Sequence, residues 1–252
     1  YYDTTDIGEF PTRLKPKNIK SDIDTDSSFP ALSEINKTIR KLTLCAYSPL
    51  KYVLPYKKEE YEEKYDTKTS KGVFKQTDRE NSLIHLMRVN LLKRMESSIN
   101  SFSLTVSKLL QNNIQLLETI DNHSNTEIEE MNIIDIDIES DKYADQLIGK
   151  NVKVLLSDID KIMLKQDLTN DINKLQELYD ASIKIDNTKD KKLLTLKENI
   201  LEKVNNPINK NNKKVIIFTA FADTAQYLYD NISKWAKTNL EIESCLITGS
   251  GI

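Results

Sequence analysis

KKVIIFTAFADTAQYLYDNISKWAKTNLEIESCLITGSGI, residues 213–252, is the stretch from which the fold is read. Residues 214–219 (KVIIFT) are a short β-branched apolar run, the pattern of a strand covered on both faces. Residues 222–237 follow with Ala225, Leu228, Ile232 and Trp235 at helical spacing, and residues 242–248 form a second apolar run that leads into Gly249-Ser250-Gly251. Strand, helix and strand at this spacing predict a right-handed parallel crossover. Ligands meet such sheets at the carboxyl ends of their strands. Thr219, Ala220 and Phe221, with Thr248, Gly249 and Ser250, are therefore candidate contact residues.

Composition narrows the function classes. The 252 residues are 38% hydrophobic, enough for a core, but include only five glycines and six prolines, which favours long helices and disfavours glycine-rich phosphate loops. A net charge of −3 argues against a generally basic nucleic-acid binder and leaves room for a local basic face. Cys45 and Cys245 are far apart, with no CxxC pair or histidine cluster, so neither a disulfide framework nor a zinc site is indicated. With no apolar run near the roughly 18 residues of a membrane span and no leader pattern, a cytoplasmic protein is expected.

Working back to the start, residues 18–24 read as an early strand. Leu32, Ile35, Ile39, Leu42 and Ala46 form one helical face, limited by Pro49 and Pro55. Residues 57–68 are a mixed-charge run with Tyr61 and Tyr65, read as a solvated helix or loop. Thr77-Asp78-Arg79-Glu80 has the form of a capping box. From there Ile84, Met87, Leu91, Met95, Ile99, Phe102, Val106 and Leu109 predict one long helix reaching about Asp121. It carries Arg88, Lys93 and Arg94, a basic group suited either to internal pairing or to phosphate.

Residues 123–145 alternate carboxylates with isoleucines and read as an acidic loop or edge strand in preference to a metal cluster. Ser157 is a candidate N-cap for a helix over 158–185, with Ile162, Leu168, Ile172, Leu175 and Tyr179 on one side. Residues 190–204 repeat the pattern with Leu193, Leu196, Ile200 and Val204 before Asn205-Asn206-Pro207 stops it. These helices and the long one are expected to pack as an antiparallel unit. The expected class is thus α/β but predominantly helical, a long-helix bundle inserted into a small parallel sheet, with domains at 1–56, 57–206 and 213–252.

Nucleotide hydrolysis needs a phosphate-cradling loop of the form G-x-x-x-x-G-K-[ST]. Gly149-Lys150 is the chain's only Gly-Lys pair. Ala144 stands where the first glycine is required and Asn151 replaces the hydroxyl residue. No G-x-G-x-x-G, G-x-S-x-G or Cys/His pairing is present, so no catalytic residue is assigned.

KVIIFTAFADTAQYLYDNI (214–232) resembles motif IV, at the start of the second RecA-like domain of superfamily 2 helicases, in particular bacterial Swi/Snf-type proteins. FPTRLKP (10–16), NLLKRMESSINSF (90–102) and DKKLLTLKENI (190–200) agree with it in order. The resemblance implies a fragment whose sheet is RecA-like and truncated. The first RecA-like domain, with its P-loop and magnesium-binding motif, would precede residue 1, and motifs V and VI would follow residue 252. It implies ATP and Mg²⁺ as cofactors of the intact parent and none in the fragment, with DNA and the first RecA-like domain as partners. It also implies that Thr219, Ala220, Phe221, Thr248, Gly249 and Ser250 lie toward the nucleic acid, with Arg88, Lys93 and Arg94 as further contacts. Two other readings stay open: a helical protein-interaction scaffold, and a Rossmann-like enzyme of small molecules.

Overall fold

Helix-forming residues dominate the chain, and the computed structural model is accordingly predominantly helical; it describes residues 11–69, 72–122, 127–128 and 152–249. The expected acidic segment at 123–145, apart from residues 127 and 128, lies outside the described residues, as do Gly149-Lys150 and Ser250. The chain divides into two compact units, residues 29–184 and a discontinuous unit made of residues 1–28 and 185–252. This division differs from the expected boundaries, because the two later helices of the expected single bundle belong to different units.

In the unit of residues 29–184, α1 (Leu32–Arg40) buries Ile35 and Ile39, and three short 3₁₀ turns follow at Cys45–Tyr47, Pro49–Tyr52 and Pro55–Lys57. The charged run becomes α2 (Lys58–Tyr65), which turns Tyr61 and Tyr65 inward, one turn apart and stacked. An antiparallel hairpin, β1 (Thr67–Thr69) and β2 (Gly72–Phe74), leads to α3 (Gln76–Ser97). That helix starts one residue before the expected capping box. Thr77 lies inside it, and the first free backbone N–H, that of Gln76, is satisfied by Asp66 Oδ1 at 2.8 Å.

The expected single long helix is two, because Ser98 breaks it. Ser98 adopts an extended backbone (φ −159°, ψ 137°), and its hydroxyl accepts from Asn100 N at 3.2 Å, opening α4 (Ile99–Asn122). α5 (Lys161–Ser182) begins after Asp160, whose carboxylate accepts from Met163 N at 3.0 Å; Asp160, and not Ser157, is its cap. Leu164, Leu168, Leu175 and Leu178 are its buried stripe, and α5 packs along α4 more extensively than any other pair of elements, while Ile162 is exposed. β3 (Glu127–Ile128) and β4 (Val154–Leu155) form a second antiparallel ladder. Val53 bridges Ile159, fixing the 3₁₀ segment beside the entry to α5.

In the discontinuous unit, α6 (Lys191–Asn205) is capped by Asp190, which accepts from Leu193 N at 2.9 Å, and α7 is Ala222–Leu240. Leu193, Ile200 and Val204 pack with Ile232 and Ala236, flanked by Leu196, Tyr227, Leu228 and Trp235. Each fully buried aliphatic side chain of this kind contributes about 1.5–3 kcal/mol. The expected strand at 18–24 is reduced to one antiparallel bridge, Asp24 with Asp190, supported by Thr25 N on Lys189 O at 3.0 Å and Lys191 N on Ile23 O at 3.2 Å.

The expected parallel sheet is not formed among the described residues, where the sheets are the two short antiparallel ladders. Residues 214–219 run without a ladder partner, leaving Ile216 78% and Phe218 91% exposed. The physical reason lies in the segment itself: a strand apolar on both faces needs hydrogen-bonded neighbours and a cover on each side. Residues 242–247 likewise join no ladder. No helix among the described residues is long and apolar enough to cross a membrane.

Candidate nucleic-acid interface

Thr219, Ala220 and Phe221 form the turn that feeds α7. Thr219 Oγ1 accepts from Phe221 N at 3.0 Å and donates to Phe221 O at 2.8 Å, so the hydroxyl is committed to its own turn. Phe221 is buried as the residue preceding the helix, while Ala220 is exposed. The first turn of α7 also carries Asp223, whose Oδ1 accepts from Thr224 N at 2.8 Å and whose negative charge opposes an incoming phosphate. Lys213 and Lys214, just upstream, are exposed. Thr248 is half-buried and Gly249 is exposed in a turn, with open space where a Cβ would project.

The basic trio on α3 separates. Lys93 faces solvent. Arg88 donates from Nε at 3.1 Å and Nη2 at 2.6 Å to Leu42 O, just past the end of α1. Arg94 is 1% exposed and donates from Nη1 to Ser101 Oγ at 3.2 Å, tying α3 to α4 across the Ser98 break. Arg94 is thus held in the interior, and the half-buried Arg88 is engaged with the Leu42 carbonyl. Only Lys93 of the three is presented outward. The trio lies in a different unit from Thr219, Ala220, Phe221, Thr248 and Gly249.

A network of buried carboxylates and tyrosines escaped the sequence reading. Asp171, on the core face of α5 between Leu168 and Leu175, is fully buried; it accepts from Thr43 N at 2.7 Å, Leu44 N at 2.6 Å and Cys45 N at 3.4 Å. The left-handed conformation of Leu44 (φ 51°) turns these three N–H groups toward one point. One turn earlier, Asp167 Oδ2 accepts from Tyr52 Oη at 2.6 Å and Lys51 Nζ at 3.1 Å. Tyr61 donates to Asp158 Oδ2 at 2.9 Å and accepts from Leu155 N at 3.1 Å.

Burial, joined by the Asp167 hydrogen bond, pushes the Tyr52 hydroxyl well above its ordinary range; burial likewise raises Tyr61. Burial and then the charge of Asp171 raise the Cys45 thiol, which makes it a poor nucleophile. The hydrogen bonds among these groups brace the surrounding structure. The available signal was a lone Asp within an apolar helical stripe.

No family model, curated protein or solved structure matches the chain at a significant level.

Proposed function

We propose that the chain supplies part of the second RecA-like motor domain of a Swi/Snf-type, ATP-dependent DNA translocase, contributing nucleic-acid contact and inter-domain support without hydrolysing ATP itself. The observation that carries this reading is the unpaired KVIIFT segment, which exposes Ile216 and Phe218 yet delivers the chain through a Thr219-stabilised turn directly into an amphipathic helix. Such a segment suits the interior of a parallel sheet, and its sequence is the one that resembles motif IV. In the intact motor, strands from outside these residues pair with it and complete the RecA-like sheet. Ala220 and Thr248 then stand at the strand ends, where backbone and hydroxyl groups position a phosphate backbone without reading sequence, while Thr219 shapes the turn through its hydrogen bonds to Phe221.

Gly149-Lys150 does not complete a phosphate-cradling loop, since it lacks both the preceding glycine and the following hydroxyl. ATP and Mg²⁺ chemistry is therefore assigned to the parent's other motifs. The interaction-scaffold alternative loses its motivating surface, because Leu164, Leu168, Leu175 and Leu178 are buried in the unit where α5 packs along α4.

Fluorescence anisotropy with labelled single-stranded DNA tests the proposal. Weak binding that falls on raising salt from about 50 to 200 mM is expected. Joint replacement of Lys213→Glu, Lys214→Glu and Thr219→Val should abolish it. Undiminished binding by that variant would overturn the assigned surface, and steady ATP turnover abolished by a substitution within the chain would overturn the assignment of hydrolysis elsewhere.

A further inference from the structure

Two stretches of the chain carry lysine and arginine with no aspartate or glutamate among them. Residues 10–21 hold Arg13, Lys15, Lys17 and Lys20, and residues 203–222 hold Lys203, Lys210, Lys213 and Lys214. In a chain of net charge −3, charges that served solubility alone would be interspersed in sign.

The fold joins the two stretches, which belong to one unit. Thr12 N donates to Asn209 Oδ1 at 2.8 Å, and Asn209 Nδ2 donates back to Thr12 O at 3.2 Å, across 197 residues of sequence. Asn209 also opens a tight turn, closed by Asn212 N on Asn209 O at 3.0 Å with Asn211 in the left-handed region (φ 64°). Lys203 Nζ donates to Asn212 O at 2.8 Å and ties that turn to α6. Arg13 follows Thr12 directly and Lys210 follows Asn209, so the reciprocal pair sets cations from both stretches side by side.

These cations are exposed and uncompensated. Among the described residues, no side chain of Arg13, Lys15, Lys17, Lys210, Lys213 or Lys214 forms an ion pair. Like charges gathered without counter-charges repel one another, and an external polyanion relieves that repulsion. Asparagine amides stand between the cations of residues 209–214 and can donate to phosphate oxygens. The exposed apolar residues of the two arms, Leu14, Ile19 and Ile208, stand singly among polar neighbours, which favours a nucleic acid over a bilayer.

We propose that this seam is a sequence-independent track for the sugar–phosphate backbone of nucleic acid, in which Arg13, Lys15 and Lys17 extend the contact of Lys213 and Lys214. The inference rests on the nucleic-acid contact proposed above and adds to it the arm of residues 11–17. Asn209 is its positioning residue, holding the arm against the turn.

Fluorescence anisotropy of the full chain with two labelled single strands of unrelated sequence tests this across a salt series. The triple variant Arg13→Gln, Lys15→Gln, Lys17→Gln should bind both strands at least about tenfold more weakly at low salt and lower the salt slope by about 2 to 3. A control triple in the other unit, Lys37→Gln, Lys41→Gln, Lys58→Gln, removes the same charge from exposed positions and should stay within about twofold of the parent chain. Asn209→Ala, which loses both bonds to Thr12 but no charge, should also weaken binding. Equal losses in the two triples, an unchanged slope in the first, or undiminished binding by Asn209→Ala would overturn the track. If the Lys213, Lys214 and Thr219 variant loses binding while the Arg13 triple keeps it, this inference fails and the proposed function stands; no binding by the parent chain overturns both. Sedimentation with vesicles of equimolar phosphatidylserine and phosphatidylcholine should leave the chain in solution, and pelleting without DNA binding would assign the seam to a lipid surface instead.

Discussion

Replacing Asp171 by alanine removes one carboxylate and strands three backbone donors in the interior. The N–H groups of Thr43 and Leu44 approach it at 2.7 and 2.6 Å, short enough for strong charge-assisted hydrogen bonds, while Cys45 N at 3.4 Å adds little. A hydrogen bond to a charged group contributes about 1.5–3 kcal/mol, so losing two predicts a destabilisation of about 3–6 kcal/mol. Against the roughly 5–15 kcal/mol of a typical domain, that is a large share. Urea unfolding followed by circular dichroism measures it as a drop in midpoint at unchanged slope. A loss below about 1 kcal/mol would refute the claim that this carboxylate organises the turn.

The same residue has a pH signature. Burial raises the Asp171 pKa above the ordinary carboxylate value, although the Thr43, Leu44 and Cys45 N–H groups pull it down. The folded chain therefore holds more protons than the unfolded chain between the ordinary value and the raised one, and stability declines as pH climbs through that window. Asp167, one turn away, shifts oppositely: burial works against ionisation, but the Tyr52 and Lys51 hydrogen bonds prevail and lower its pKa. Its contribution is present above the unfolded value and is lost as pH falls through the lowered one. Asp171→Asn should flatten the decline above about pH 4 without altering the loss on the acid side.

Two further outcomes are expected. Phe218→Ser should change unfolding stability by less than about 0.5 kcal/mol, because the ring is 91% exposed, while slowing concentration-dependent aggregation seen by light scattering; a loss above about 2 kcal/mol would mean the segment is packed. Asp190→Ala removes both the α6 cap on Leu193 N and the acceptor of the Tyr227 hydroxyl at 3.0 Å, and should lower stability by about 2 kcal/mol in denaturant titration; Tyr227→Phe, losing only the second bond, should lower it by about 1.

The helices were legible because their signals are local. The helix expected over 190–204, the Asn205-Asn206-Pro207 stop and the Ile35/Ile39 face all appear close to the expected positions, since each rests on neighbours within one turn; the Asp190 cap itself was not anticipated. Ser98 was harder to read. The apolar pattern continues through it, and only the serine's competing hydrogen bond to Asn100 N ends one helix and starts another. Residues 214–219 show the opposite failure: a strand pattern states what the residues could pair with, whereas a ladder needs a partner, and none is formed among the described residues. For Arg88 and Arg94, composition conveyed charge but not direction, because the Leu42 carbonyl and Ser101 that receive them are remote or across a helix break.

The bridge between Asp24 and Asp190 has a consequence for how the chain is made. Its two halves leave the ribosome roughly 165 residues apart, which at 5–20 residues per second separates them by about 10 to 30 seconds. During that interval residues 29–184 have fully emerged, with their own core, while residues 11–28 still await their partner. Folding of that intervening unit first replaces a long floppy loop with a compact one and reduces the entropy lost in closing it. The discontinuous unit is thus completed last, and its assembly reports that the whole span from Asp24 to Asp190 has been synthesised.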